Sequence, residues 1–257
     1  MDIIDFHVHT GYDFHADEHG VLIDNRKFRS DLEACGVTKC CGSYLPKACN
    51  ARPVADYEQY IPELNAKAYE TKELYGDFYI PGLHIHPAFV EMSCREIEKY
   101  ARLGVKMIGE LVPYMMGWQG CATKEFLEIM DCAASYNMVV NIHLTSGADM
   151  RALCASIPKS ITLVWAHFSA FGTFDEHTGL LREFENVYFD TSAHGSDRVG
   201  IIKDAVNAVG SEKLLFGTDY PGIGPASDIG AMMVEDISDA DRENIFSRNA
   251  KRILGLK

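Results

Sequence analysis

Histidine and acidic residues recur at the ends of otherwise apolar stretches of this chain. Six residues share this position: His7, His9, Glu110, His143, His167 and Asp219. A charged or strongly polar side chain in an apolar segment is costly unless it has a partner or a metal ion. Imidazole and carboxylate groups are the ligands that Zn²⁺ takes, and an open coordination position leaves room for water. The residue types therefore indicate a divalent metal site, with zinc as the first choice.

His7 and His9 lie two residues apart, and residues i and i+2 of a strand point to the same side of it. A single histidine at such a place is often a core residue with its own partner, and an isolated His-x-His pair is a weak signal. Together with the histidines and acids that end the other stretches, this pair favours a shared cation.

The apolar stretches are predicted strands that alternate with amphipathic helices. The predicted strands are residues 3–9, 38–43, 78–86, 105–111, 138–144, 161–168, 187–191 and 214–219. The predicted helices are residues 26–35, 55–74, 93–103, 123–136, 148–156, 176–184, 198–209 and 240–254. Several strands are apolar almost throughout, as strands covered on both faces are. Strict alternation predicts a parallel sheet with right-handed crossovers.

The position of the polar residues decides whether this sheet is open or closed. In an open doubly wound sheet the ends of the first and eighth strands lie far apart, whereas in a closed barrel they are neighbours. Eight strand–helix units in about 250 residues is the size of a (β/α)₈ barrel, whose active site lies at the carboxyl ends of the strands. We therefore predict a single-domain TIM barrel over residues 1–257, with the metal site at that rim.

The overall composition excludes other classes of protein. The 257 residues carry a net charge of −13 without a run of Lys and Arg, which argues against nucleic acid or anionic membrane as a partner. No stretch approaches the roughly 18 apolar residues of a membrane span, and the N-terminus lacks signal-peptide features. The eight cysteines form no C-x-x-C pair and are predicted to be reduced thiols. We expect a cytoplasmic protein with a small-molecule substrate, and a homodimer as the default oligomer.

Four segments of the chain resemble the amidohydrolase superfamily. They are DFHVH, IHL, WAH and FGTDYP, at the ends of predicted strands 1, 5, 6 and 8. More narrowly, they resemble the amidohydrolase-related (amidohydrolase-2) branch of metal-dependent barrel hydrolases and decarboxylases. The resemblance extends from Asp2 to the C-terminal segment NAKRILGL. The His-x-His pair and FGTDYP are specific to the superfamily, but they do not specify a substrate.

The resemblance implies a role for most of the rim residues. His7 and His9 match the first metal ligands, and His143 matches a ligand on strand 5. His167 matches a histidine that ligates the second metal in binuclear members and faces the substrate in mononuclear ones. Asp219 matches the strand 8 aspartate, which in the family ligates metal and takes the proton from the attacking water.

Glu110 departs from the pattern of many members. Binuclear relatives often carry a carboxylated lysine at the end of strand 4, and many mononuclear members have no ligand there. KMIGELVP resembles members in which a glutamate bridges two metals. Two cations about 3.5–4 Å apart need an anion between them, which a carboxylate supplies. Two alternatives stay open: a carboxylated Lys106, or Glu110 as a hydrogen-bond acceptor for a ligand histidine.

The main prediction that follows is a metal-dependent hydrolase. A metal-activated water would attack an amide, lactone or ester, and Asp219 would act first as general base and then as general acid. The alternative is a non-oxidative decarboxylase or hydratase acting on a small unsaturated or aromatic carboxylic acid, in which carbon is protonated. That version usually resembles a one-metal site, so an occupied Glu110 argues against it. A non-catalytic metal-binding barrel is disfavoured because Asp219 is present.

Other residues near the rim are predicted to contact the substrate. His86 follows strand 3, and His194 and Arg198 follow strand 7; the planar fork of Arg198 suits a carboxylate. The aromatic loop residues Tyr12, Tyr114 and Trp118 are candidates for the pocket wall. The remaining loop histidines are predicted to be solvated: His15, His19 and His177.

Overall fold

The computed structural model describes residues 1–11, 25–45, 52–144, 146–169, 172–193 and 198–257. Eight parallel strands lie side by side in chain order. They are β1 Ile4–Thr10, β2 Lys39–Tyr44, β3 Tyr79–Leu83, β4 Met107–Leu111, β5 Val139–Ile142, β6 Thr162–Trp165, β7 Val187–Asp190 and β8 Leu214–Leu215. All eight predicted strands are therefore present. Most of them end earlier than predicted, because the polar residues that follow turn out into the rim.

Helices cover the outside of the sheet. They are α1 Phe28–Ala34, α2 Tyr57–Tyr75, α3 Val90–Arg102, α4 Lys124–Ala134, α5 Gly147–Ser156, α6 Phe174–Glu183, α7 Ile201–Val209, α8 Pro225–Val234, α9 Asp239–Glu243 and α10 Asn249–Leu254. The predicted helix 240–254 is divided into α9, a π-helical turn over Asn244–Arg248, and α10. Sequence analysis missed α8, although Pro225 occupies the first helical position that proline favours.

The sheet closes into a barrel between β1 and the residues that follow β8. The main-chain N–H of Phe6 donates to the carbonyl oxygen of Phe216 over 2.8 Å. The buried carboxylate of Asp5 accepts hydrogen bonds from the Thr218 main-chain nitrogen at 3.0 Å and from its hydroxyl at 2.6 Å. These bonds join the first and the last strand, so the predicted closed barrel is confirmed over the open sheet.

The apolar core lies between the barrel and its helices, and a smaller cluster closes the barrel floor. In the smaller cluster, Met107 and Val139 at the starts of their strands pack with Ala250 and Leu254 of α10. This is the end of a barrel where residues serve stability, and the opposite end is free to carry chemistry. Among the described residues, no helix has both the length and the apolar character to cross a membrane.

Candidate metal centre

The six predicted metal ligands meet at the carboxyl ends of the strands. They come from β1, β4 and the segments after β5, β6 and β8: His7, His9, Glu110, His143, His167 and Asp219. Their side chains divide into two groups that share Glu110. The first ligand group is His7, His9, Glu110 and Asp219, and the second ligand group is Glu110, His143 and His167.

In the first ligand group, four side-chain atoms enclose a small space. Glu110 Oε2 lies 3.3 Å from His7 Nε2 and 3.1 Å from His9 Nε2. Asp219 Oδ1 lies 3.2 Å from His9 Nε2 and 3.7 Å from His7 Nε2. Ligands placed tetrahedrally about 2.0–2.2 Å from a zinc ion are themselves roughly 3.3–3.6 Å apart. His7, His9 and Glu110 are therefore spaced as ligands of one cation, and Asp219 lies beside the two histidines.

The second ligand group has three such atoms. Glu110 Oε1 lies 3.3 Å from His143 Nδ1 and 3.4 Å from His167 Nε2. The two ring nitrogens are 3.2 Å apart. Three protein ligands leave a coordination position open, which is the arrangement of catalytic metal sites.

The chemistry of Glu110 tests whether this donor set fits metal ions. The residue is only 3% exposed, and its Oε1 accepts no hydrogen bond within the described part of the chain. A buried carboxylate oxygen without a donor is costly. A cation in each ligand group would satisfy both oxygens of Glu110 at once, so the residues present fit a two-ion centre.

Only glycine fits at the position just before Glu110. Gly109 has a φ of +94°, and a Cβ built there would lie 2.0 Å from the carbonyl oxygen of Asn141 on the neighbouring strand. The chain therefore approaches β5 more closely than any side chain allows, which brings Glu110 to the centre of the rim. Lys106 is exposed just before β4, at the opposite end of the strand from Glu110 and next to the C-terminal residue Leu254, so the structure does not support the alternative of a carboxylated lysine.

Sequence analysis missed Asp190, which orients two of the histidines. Its buried carboxylate accepts from His7 Nδ1 at 2.9 Å, from the main-chain N–H of His167 at 3.1 Å and from Asn141 Nδ2 at 2.8 Å. The hydroxyl of Ser192 lies 3.0 Å from His7 Nδ1 and 2.9 Å from His167 Nδ1. Such partners fix the tautomer of a ligand histidine and leave the other ring nitrogen free for the ion.

The charges of the centre shift several pKa values in the ion-free protein. Burial alone lowers the pKa of His9, but its hydrogen bonds to Asp219 and Glu110 reverse this and raise it to about 9. Burial opposes the charged form of His7 too, and the carboxylates of Glu110 and Asp190 still raise its pKa well above the ordinary value. Burial raises the pKa of Glu110, while His7 and the other imidazoles lower it well below its usual range. Without ions, protonated His7 and His9 therefore lie beside the ionised carboxylate of Glu110.

We expect metal binding to release protons between pH 7 and 8. His9, with a pKa of about 9, is then protonated in the ion-free protein, whereas a metal ligand must be neutral. The apparent metal affinity should therefore rise with pH up to about 9 and level off above it. Calorimetric titrations in buffers of different ionisation enthalpy measure the protons released. The release of no protons at pH 7.5 would show that His9 is already neutral.

We also expect Asp190→Asn to weaken metal binding by about 10–100-fold, because groups that orient ligand histidines have effects of this size. The amide presents one acceptor where the carboxylate serves His7, His167 and Ser192. Competition with a fluorescent chelator gives the affinity, and thermal unfolding shows whether the variant is folded. Asp131→Asn, on the exposed face of α4, is the control and should bind metal as the wild type does.

The contacts of His86 do not favour the substrate contact that was predicted for it. Its Nε2 lies 3.0 Å from the carbonyl oxygen of Met116, and its Nδ1 accepts from the main-chain N–H of Ala88 at 3.1 Å. The ring stacks on Tyr57 with centroids 5.1 Å apart. Main-chain groups thus occupy both ring nitrogens, and the geometry does not favour a substrate contact.

The other predicted contacts have different outcomes. Arg198 donates through Nη2 to the carbonyl oxygen of Ser169 and, at 3.1 Å, to the Ser169 hydroxyl, two residues beyond His167. His194 and Tyr12 lie outside the described residues, as do His15 and His19. The prediction of a solvated His177 is wrong: the ring is 6% exposed and stacks on Phe189 with centroids 4.3 Å apart. Burial lowers the pKa of His177 to about 4.

A cavity of about 230 Å³ opens beside the second ligand group. Tyr114, Trp118 and His143 line it together with the polar residues Ser146 and Asp149. The Tyr114 ring meets the His143 ring edge-on, with centroids 5.5 Å apart. Ligand pockets usually measure about 300–1,000 Å³, so this one suits a small molecule. The expectation that Tyr114 and Trp118 lie along a pocket is consistent with this arrangement.

Comparisons with known proteins identify the family and the fold. A family model described as amidohydrolase matches residues 50–256. No curated protein matches the chain in sequence. Among solved structures, 2,6-dihydroxybenzoate decarboxylase from Rhizobium is similar at 13% identity over 99% of both chains, with a TM-score of 0.78. The 5-carboxyvanillate decarboxylase from Sphingomonas paucimobilis is 13% identical over 100% of this chain and 99% of its own, with a TM-score of 0.79.

A third similar structure contains a metal ion. It is 5-carboxyvanillate decarboxylase from Novosphingobium aromaticivorans with bound manganese and 3-methoxy-4-hydroxy-5-nitrobenzoic acid. This structure is 16% identical over 99% of the present chain and 97% of its own, with a TM-score of 0.77. At these identities the likeness shows a shared fold.

Proposed function

Because the chain belongs to the amidohydrolase family, whose model matches residues 50–256, we propose that it is a divalent-metal-dependent enzyme that decarboxylates a small aromatic or unsaturated carboxylic acid. The observation that carries the proposal is the exposure of the ligands at the rim. The side chains of Asp219 and His143 are 29% and 19% exposed, whereas those of the other four ligands are at most 11% exposed. A substrate therefore reaches the centre between Asp219 and His143.

Three observations support this substrate class. The cavity beside His143 has the size for a single ring, and the ring of Tyr114 forms part of its wall. Divalent ions, when bound, supply positive charge that attracts a carboxylate and an adjacent oxygen. The named relatives of the same fold are decarboxylases of hydroxylated aromatic acids. These comparisons favour the decarboxylase over the hydrolase that sequence analysis placed first.

The chain's own part in the reaction is to supply a proton. Asp219 stands at the open edge of the first ligand group, so its carboxyl group can face a substrate carbon. In the proposed step the bond between that carbon and the carboxyl carbon breaks. Its electron pair takes the proton of Asp219, and carbon dioxide leaves. Because Asp219 is partly exposed, it regains a proton from solvent, and the net reaction converts a carboxylate and a proton into a C–H bond and carbon dioxide.

Hydrolysis is the second candidate, and one observation favours it. The two oxygens of Glu110 face separate pairs of histidines, as expected for a carboxylate that bridges two ions. Sites in which two cations lie about 3.5–4 Å apart commonly activate water for hydrolysis of an amide, ester or lactone. Sequence analysis associated the decarboxylase with a one-metal site, so the two candidates differ in the number of ions they need.

An assay against two substrate panels distinguishes the candidates. The metal-loaded protein is incubated with hydroxylated benzoic acids and, separately, with small lactones, esters and amides. We expect carbon dioxide release that matches the loss of an aromatic acid. Hydrolysis of a lactone, ester or amide without carbon dioxide release from any acid would overturn the decarboxylase and support the hydrolase.

The identity of the ion is a separate part of the proposal. Sequence analysis favours zinc from the ligand types alone, but imidazole and carboxylate also suit manganese. The dihydroxybenzoic acid decarboxylase from Polaromonas holds manganese, as does the Novosphingobium enzyme. We therefore propose zinc or manganese, to be decided by activity of the ion-free protein after adding each metal.

Arg198 stays a predicted substrate contact, and its hydrogen bonds to Ser169 support this role. Its guanidinium is anchored on Ser169, which follows His167 by two residues. We propose that it contributes positive charge at the edge of the site, where a carboxylate-bearing substrate enters.

A further inference from the structure

Helices α3 and α4 pack against each other on the outside of the barrel, and each carries a cysteine at their contact. The Sγ atom of Cys132 lies 3.8 Å from the carbonyl oxygen of Cys94. The Cys132 thiol also hydrogen-bonds to the Cys94 side chain, so the two sulfur atoms are neighbours, as a disulfide between the helices requires. We propose that Cys94 and Cys132 form a reversible disulfide that links α3 to α4.

Solvent access separates this pair from most of the other cysteines in the described residues. Cys94 and Cys132 are both partly exposed, so a small oxidant in solution reaches them. Four other cysteines of the described part of the chain are buried: Cys40, Cys41, Cys121 and Cys154. Cys35, the residue that follows α1, is also partly exposed and serves below as a control. Cys49 lies outside the described residues.

The link forms in two steps that consume one equivalent of oxidant. With hydrogen peroxide as the oxidant, one of the two thiols is oxidised to a sulfenic acid and one water is released. The other thiol then attacks that sulfur and loses its proton, which forms the S–S bond and releases a second water.

The proposed link encloses a functionally important part of the fold. The chain between Cys94 and Cys132 contains β4 with Glu110 and the segment that carries Tyr114 and Trp118. Oxidation would therefore fix the elements on both sides of the shared metal ligand. The proposal does not depend on which reaction the metal centre performs.

Peptide mapping of the whole protein tests the link directly. Reduced protein is treated with one equivalent of hydrogen peroxide, quenched with catalase, blocked with iodoacetamide and digested with trypsin without reductant. The peptides 73–95 and 125–151 each contain one cysteine. We expect them to appear joined, at a mass lower by two hydrogen atoms than the sum of the two, and to separate after dithiothreitol.

Variants serve as controls for the mapping. Cys94→Ser and Cys132→Ser should each abolish the joined peptide, whereas Cys35→Ser should leave its yield unchanged. Wild-type protein in which both peptides stay separate, with each cysteine alkylated or oxidised to sulfinic acid, would overturn the proposal. Because this result needs no variant, misfolding of a serine variant does not weaken the test.

Discussion

Replacement of Glu110 with glutamine is expected to lower the metal content from about two ions per chain to about one or fewer. Glu110 Oε2 faces His7 and His9, and Oε1 faces His143 and His167. An amide keeps one oxygen, loses the negative charge and offers an NH₂ group that cannot ligate a cation. Changes to groups that merely orient ligands weaken metal binding by about 10–100-fold, so loss of a shared ligand should exceed that range.

Elemental analysis of protein purified without chelator measures this effect. Glu128→Gln, which makes the same chemical change on the exposed face of α4, is the matched control and should keep the wild-type metal content. Circular dichroism shows whether the Glu110 variant is folded. If folded Glu110→Gln protein keeps both ions, Glu110 is an acceptor for a ligand histidine and not a bridge.

Replacement of Asp219 with asparagine should lower kcat by about 10²–10⁴-fold, the usual contribution of a positioned general acid or base. Asparagine keeps an oxygen near His9 but carries no transferable proton at neutral pH. His7, His9 and Glu110 remain around the first ion. We therefore expect metal content to persist and KM to change little, because the missing step occurs in the transition state.

Steady-state kinetics on the substrate found in the two panels provides the measurement. Asp131→Asn on the outer face of α4 controls for the change from carboxylate to amide. A loss of kcat smaller than about 10-fold, with metal retained, would assign proton transfer to another group.

The meeting of the six candidate metal ligands was predictable because strand ends in a barrel converge. An acid or histidine at the end of an apolar stretch needs a partner, and closure of β1 on the segment after β8 brings Asp219 to His7 and His9. Asp190 shows the same signal at the end of β7. Asp190 was not predicted as a site residue, because the residues after β7 were assigned only to substrate contacts.

The surroundings of His86 and His177 depend on contacts with distant parts of the chain, which no local sequence pattern reveals. The direction of His86 is set by the Met116 carbonyl, thirty residues further along the chain, after the next strand. His177 of α6 is buried because its ring stacks on Phe189 of β7. Helix α8 buries only Pro225, Asp228 and Met232, so its sequence lacks the regular apolar spacing that marks an amphipathic helix.

We propose that Glu110 joins two cations at the rim of the barrel. Anomalous X-ray diffraction from crystals of the metal-loaded protein, collected at the zinc and manganese edges, locates the ions. We expect two peaks about 3.5–4 Å apart, one within each ligand group and on either side of Glu110. A single peak among His7, His9 and Asp219, with Glu110 hydrogen-bonded to a histidine and His143 free of metal, would show that Glu110 does not bridge two ions.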